Sequence, residues 1–115
     1  MPDSLDYSKL FAGRELTTSN AELFTMTTAQ GTLRNLVLGV SNKTSSTALY
    51  DVYVVPAGGS PGDDGTNVHI GASIPGNSYR EIPIPKMVAG DSLHAKCSTG
   101  ANIIEVFDAD GVTRA

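Results

Sequence analysis

An all-β fold, an antiparallel sandwich or jelly roll of two sheets and about eight short strands, is what this sequence predicts. Three observations carry that prediction. Apolar residues recur with a period of two from Glu22 onward, the spacing of a strand with one buried face. The chain holds 12 glycines, 6 prolines and no tryptophan, a composition suited to short strands joined by tight turns. Residues 33–41 and 48–55 form two long β-patterned segments around the polar turn 42–47, and the second runs into the glycine-rich stretch 57–65.

Residues 1–20 read as an N-terminal arm and residues 21–115 as the sandwich domain. In the arm, apolar Leu5, Tyr7, Leu10 and Phe11 precede a mostly polar run, 12–20. Such a segment packs on its own domain or on a neighbour, and the spacing of the four is compatible with a short amphipathic helix over residues 4–11. Residues 23–27 read as the first strand, closed by Ala29-Gln30-Gly31. Over residues 33–41, Leu36, Leu38 and Val40 share one face, with Asn35, Val37, Gly39 and Ser41 on the other. Residues 48–55 carry apolar side chains on both faces towards the end.

Further strands are expected at residues 67–72, 78–85, 92–97, 102–107 and 112–114, with turns at 74–77, 88–91, 98–100 and 108–111, where Gly, Asn or Asp supplies the required backbone conformation. Pro83 and Pro85 remove ladder donors on one side only. That places their strand at a sheet edge and blocks the edge against stray pairing.

The chain has 115 residues, the length of one domain of roughly 100–150 residues. Its net charge of −4 and lack of any basic run argue against nucleic acid and against an anionic membrane surface. No apolar run approaches the ~20 residues of a membrane helix, and the N-terminus lacks the basic start and apolar run of a secretory signal. A single cysteine, Cys97, excludes an intrachain disulfide framework and fits synthesis in a reducing compartment.

Motifs of catalysis dissolve on inspection. Gly58-Gly59-Ser60-Pro61-Gly62 has the pattern of a nucleophile elbow, but no helical period follows it. Asp91-Ser92-Leu93-His94 holds the residue types of a hydrolase triad, yet neighbours on a strand point to opposite faces. Ser92 and His94 fall outward, His94 as a solvent-facing residue, while Leu93, Ala95 and Cys97 fall inward. Asp63-Asp64-Gly65 and Asp108-Ala109-Asp110-Gly111 lack the remaining ligands of a calcium loop and read as turns. His69, His94 and Cys97 lack the paired spacing of zinc ligands. Asn42-Lys43-Thr44 is formally a glycosylation acceptor, but reads as a polar turn. No catalytic, cofactor or metal residue is assigned.

Laid out in order, residues 21–107 resemble a group of small bacteriophage virion proteins. The resemblance rests on the opening strand and turn, 22–31; on Leu36-Val37-Leu38-Gly39-Val40-Ser41-Asn42 with its polar turn; on Val52-Tyr53-Val54-Val55-Pro56-Ala57-Gly58-Gly59-Ser60-Pro61-Gly62-Asp63; and on Ala89-Gly90-Asp91-Ser92-Leu93-His94-Ala95. The aliphatic-and-proline opening usual before the first turn is replaced here by Thr27-Thr28-Ala29-Gln30-Gly31.

The resemblance implies a non-enzymatic particle protein, often a symmetric oligomer, on the head or the tail. The leading expectation is a decoration, or cement, protein on the outside of a phage head, made in the host cytoplasm and carried on the virion. Its partners are then further copies of itself, as a dimer or trimer, and the major capsid protein. Arm residues Leu5, Tyr7, Leu10 and Phe11 are the candidate contacts. A tail, neck or fibre component is the alternative within that group. A carbohydrate-binding sandwich is the alternative from another class, with Tyr50, Tyr53 and Tyr79 as its aromatic candidates.

Overall fold

The computed structural model describes residues 5–6, 11, 13–27 and 31–114. Ten strands run through them: β1 Leu5–Asp6, β2 Arg14–Glu15, β3 Ala21–Thr25, β4 Thr32–Asn42, β5 Ala48–Val55, β6 Asn67–Ile74, β7 Tyr79–Pro83, β8 Met87–Val88, β9 Ser92–Cys97 and β10 Ile104–Arg114. They form two antiparallel sheets. The first has the order β1-β10-β4-β7, with β2 also on β10 and β8 also on β4; the second is β3-β9-β5-β6.

Alternation puts the core between the two sheets. Leu36, Leu38 and Val40 of β4, with Ile104 and Val106 of β10 and Ile82 of β7, face Tyr50 and Val52 of β5 and Leu93, Ala95 and Cys97 of β9. Leu16, inside the segment read as an arm, is fully buried in that core, and the adjacent Arg14–Glu15 pairs with Val106 and Glu105. Leu5–Asp6 pairs with Arg114 and Thr113, so these two residues are strand rather than helix.

The expected turn at residues 108–111 is instead part of one eleven-residue strand, β10. Pairing runs from Ile104 opposite Asn42 to Arg114 opposite Thr32, with register shifts between Asp108 and Asp110 and between Asp110 and Val112. The first shift leaves Ala109 as an extra residue on β10, and the second puts the extra residue on β4. Turn-forming residues are absorbed as a pair of compensating bulges because a long partner strand holds both ends in register.

Two loops cross from one sheet to the other side by side. Residues 43–47 leave β4 for β5, and residues 75–78 bring β6 back to β7. Asn42, only 2% exposed, knits them together. Its Nδ2 donates to the Ser46 carbonyl at 2.8 Å and to the Ile74 carbonyl at 3.1 Å, while its Oδ1 accepts from Thr44 N at 2.9 Å and Thr44 Oγ1 at 2.8 Å. Its backbone N–H donates to Ser78 O, and Asn77 N donates to Thr44 O. Gly76 sits so close that a Cβ there would lie 2.3 Å from the Ser45 carbonyl carbon. Asn42 is a structural amide with its hydrogen-bonding capacity in use, not a glycosylation acceptor.

The margins of the sandwich are closed by arginines. Arg14 on β2 donates to the carbonyl of Glu22 on edge strand β3, at 3.2 Å, and Arg80 on β7 donates to the carbonyl of Ser73 on edge strand β6, at 2.9 Å. Each spans from the first sheet to an edge of the second. Pro83 lies on β7, which pairs with β4 alone at the edge of the first sheet, as its missing donor requires.

Replacing Asn42 by alanine takes the side-chain donor from the buried Ile74 carbonyl and the acceptor from the Thr44 N–H, and lowers stability by about 1–3 kcal/mol; Gly76→Ala forces the two crossing backbones apart and costs ~1–3 kcal/mol. Urea unfolding midpoints measure both. Tyr50 is the opposite case, since its buried hydroxyl has no hydrogen-bond partner among the described residues. Tyr50→Phe removes an unpaired polar group, so unfolding by the same method shows a change within ~1 kcal/mol or a gain.

Candidate functional site on the two outer sheet faces

Each sheet turns one face to the core and the other outward, and the outward faces hold the side chains with chemistry. On the second sheet, Glu22 of β3, His94 of β9 and Tyr53 of β5 stand opposite one another, flanked by the pairs Ser92–Val55 and Lys96–Asp51. Central position in the sheet buries much of this row: Asp51, Tyr53, Val55 and Ser92 are all buried although they point away from the core. This is the two-faced apolar pattern expected for the end of residues 48–55.

Asp51 organises the row. Its Oδ1 accepts from Gly71 N at 2.7 Å, and its Oδ2 accepts from Tyr53 OH at 3.2 Å and lies 3.6 Å from Lys96 Nζ. Gly71 reaches that carboxylate from a bulge in β6 with a positive φ of 61°, a conformation natural to glycine. Burial pushes the Tyr53 hydroxyl above its ordinary pKa, and the negative charge of Asp51 adds to the rise.

Ser92 Oγ and His94 Nε2 lie 2.9 Å apart, within the reach of a nucleophile and its base. His94 is half-buried rather than solvent-facing, because Ser92 and the flanking strands enclose it. Burial lowers its pKa from the ordinary 6.5, with the charge of Glu22 opposing the shift. Asp91 does not join the pair: its carboxylate accepts Val88 N at 3.0 Å and caps the turn. Ser92 is 8% exposed and its hydroxyl is within 3.5 Å of the Val55 carbonyl. The pair therefore ties β9 to itself and to β5, with the hydroxyl turned away from solvent.

On the first sheet, Phe107 of β10 and Glu81 of β7 flank Gly39 of β4, and Tyr79 and Glu105 flank Ser41 in the next row. The Phe107 ring occupies the space a Gly39 Cβ would fill, 2.6 Å from Cε2. It stacks on Tyr79 with centroids 5.6 Å apart and planes 14° from parallel. Tyr79 OH donates to Glu81 Oε2 at 3.0 Å. Beside Glu105, Lys43 pairs with Glu15 and lies 3.7 Å from Glu105. The hydrogen bond to Glu15 is the main cause of the rise in the Lys43 pKa.

Of the three tyrosines named from the sequence, Tyr50 is in the core, Tyr53 is buried, and Tyr79 alone is exposed. Phe107 and Gly39 went unsingled; their only signal in the sequence is a glycine on the outward face of a long strand. Phe11 stacks on Phe24 at 5.6 Å, and both pack against the core of their own chain. Leu5 lies on β1, whereas Tyr7 and Leu10 lie outside the described residues. Asp63 Oδ2 accepts from Ser60 N at 2.9 Å within its own turn. No group of three or more potential metal ligands occurs among the described residues.

No family model and no curated protein matches the chain. Among solved structures, it is similar to a protein of Bacillus endospore appendages, a family of disulfide-linked pili, over 99% of this chain and 89% of that one, with a TM-score of 0.59 and 11% identity. That likeness is one of fold.

His94 generates a pH dependence with a definite sign. Its pKa is lower in the folded chain, so the unfolded chain takes up the proton first and stability rises with pH. The His94 contribution is therefore complete above about pH 6.5 and is lost as the pH falls below it. Denaturation midpoints across pH 5–8 are expected to drop towards acid more steeply for the wild-type chain than for His94→Asn.

Proposed function

We propose that this chain is a non-enzymatic structural subunit that assembles with copies of itself on a larger protein particle. The observation that carries the reading is the whole-chain likeness in fold to a protein of disulfide-linked endospore appendages. Two features of the molecule support it. Arg14, Arg80 and Pro83 guard the sheet margins against indiscriminate strand addition, which suits a protein present at high local concentration. Ser92, His94, Asp51 and Tyr53 use their polar groups on one another and on their own backbone.

Within that reading, the sequence resemblance favours a decoration protein on the outside of a phage head, with the major capsid protein as partner. Residues Leu5, Tyr7, Leu10 and Phe11 are the proposed contacts of the N-terminal segment, Phe11 acting through its stack on Phe24 as the anchor to its own subunit. A symmetric shell is met most simply by a closed dimer or trimer.

An appendage subunit is the second reading, favoured by the fold likeness. The linkage must then differ from that of disulfide-linked pili. Cys97 is the one cysteine of these residues and is fully buried, and a covalent chain of subunits needs two thiols on each.

Sedimentation of the purified protein should show a closed dimer or trimer that is indifferent to reductant, and undecorated phage capsids should bind it to saturation. Filaments seen by electron microscopy would favour the appendage reading. A monomer at all concentrations that binds no capsid would remove both.

A further inference from the structure

The outer face of the first sheet is more than a neutral surface. We infer that the Tyr79–Phe107 shelf is a binding platform for a neutral glycan, a pyranoside whose C–H face lies on the rings while its hydroxyls reach the carboxylates beside them. This goes beyond a structural role, and it holds whichever particle the subunit belongs to.

Geometry carries the inference first. Tyr79 is 50% exposed, a large area of aromatic surface to leave in water. Its hydrogen bond to Glu81 and its near-parallel stack on Phe107 hold the ring in place, so little side-chain freedom remains to be lost on binding. Gly39 lets the shelf exist, because any side chain at that position would displace Phe107. The exposed part of the Tyr79 ring, backed by its stack on Phe107, is a flat apolar surface that matches the C–H face of a sugar. A cation would also be drawn to an aromatic face beside carboxylates, and the lysine-rich peptide in the experiment below separates the two.

The rim supplies the second argument. Glu81 borders Tyr79, and Glu105 stands across Ser41 from it, with Glu15 next in the row. Ionised carboxylates only accept hydrogen bonds, and sugar hydroxyls donate them. Lys43 is already shared between Glu15 and Glu105, so it offers little to a negative ligand. Three carboxylates against one lysine leave the rim negative, which repels sialic acids, uronic acids and phosphorylated sugars.

A glycan array, followed by titration calorimetry on the full chain, tests this. Neutral hexose oligosaccharides should bind and their sialylated counterparts should not. Tyr79→Ala should weaken binding by roughly tenfold or more, and Glu81→Gln by several-fold. Tyr79→Phe should retain most of the affinity, because the stack survives. Leu49→Ala, which alters an exposed apolar residue on the other sheet, should bind like wild type, and thermal melts of all variants confirm folding. Any of three results overturns the proposal: no neutral glycan bound at millimolar concentration, equal binding by folded Tyr79→Ala, or preference for sialylated glycans or a lysine-rich peptide.

Discussion

The arrangement of this sandwich depends on one buried amide. Asn42 stands where β4 ends in the first sheet, and its side chain holds both the outgoing loop to β5 and the end of β6 in the second. A single carboxamide can do this because it offers two donors and a two-lone-pair acceptor in one rigid plane. Here all of them are used within a few residues of the crossing. Loss of the amide would take the side-chain donor from the buried Ile74 carbonyl at the point where the sheets separate.

From that anchored corner follow the alignment of the sheets and the fate of their surfaces. With β4 and β7 held in the first sheet and β5 and β6 in the second, Arg80 on β7 is within reach of Ser73 on β6. On the opposite margin Arg14 makes the equivalent bridge from β2 to β3. The open edges of the smaller sheet are thus engaged at both sides, and the broad outward faces are left for recognition. The two faces are different in kind. One is a self-satisfied polar row whose Ser92–His94 contact serves the sheet; the other carries two stacked rings and a negative rim.

Much of the fold was legible in the chain because strands repeat with period two and because glycine, proline and asparagine punctuate them. The inward set Leu36, Leu38 and Val40, the inward Leu93, Ala95 and Cys97, and the edge position of Pro83 are all local inferences that the structure bears out. Residues 108–111 were misread for the converse reason. Their composition favours a turn, but nothing local reveals that β4 is long enough to hold both flanks in register and fold the surplus into bulges. Leu16 was read as part of a polar run, since its burial depends on strands distant in sequence.

What the residues determined by themselves was an all-β chain, its alternating faces and the positions of most turns, because those follow from side-chain period and backbone preference within a few residues. Tertiary structure alone decided that Asn42 is a tie between loops, that His94 is enclosed by Ser92 and the strands beside it, and that Phe107 meets Tyr79 across Gly39. The pairing of strands far apart in the chain sets each of these contacts, and no window of neighbouring residues contains that information.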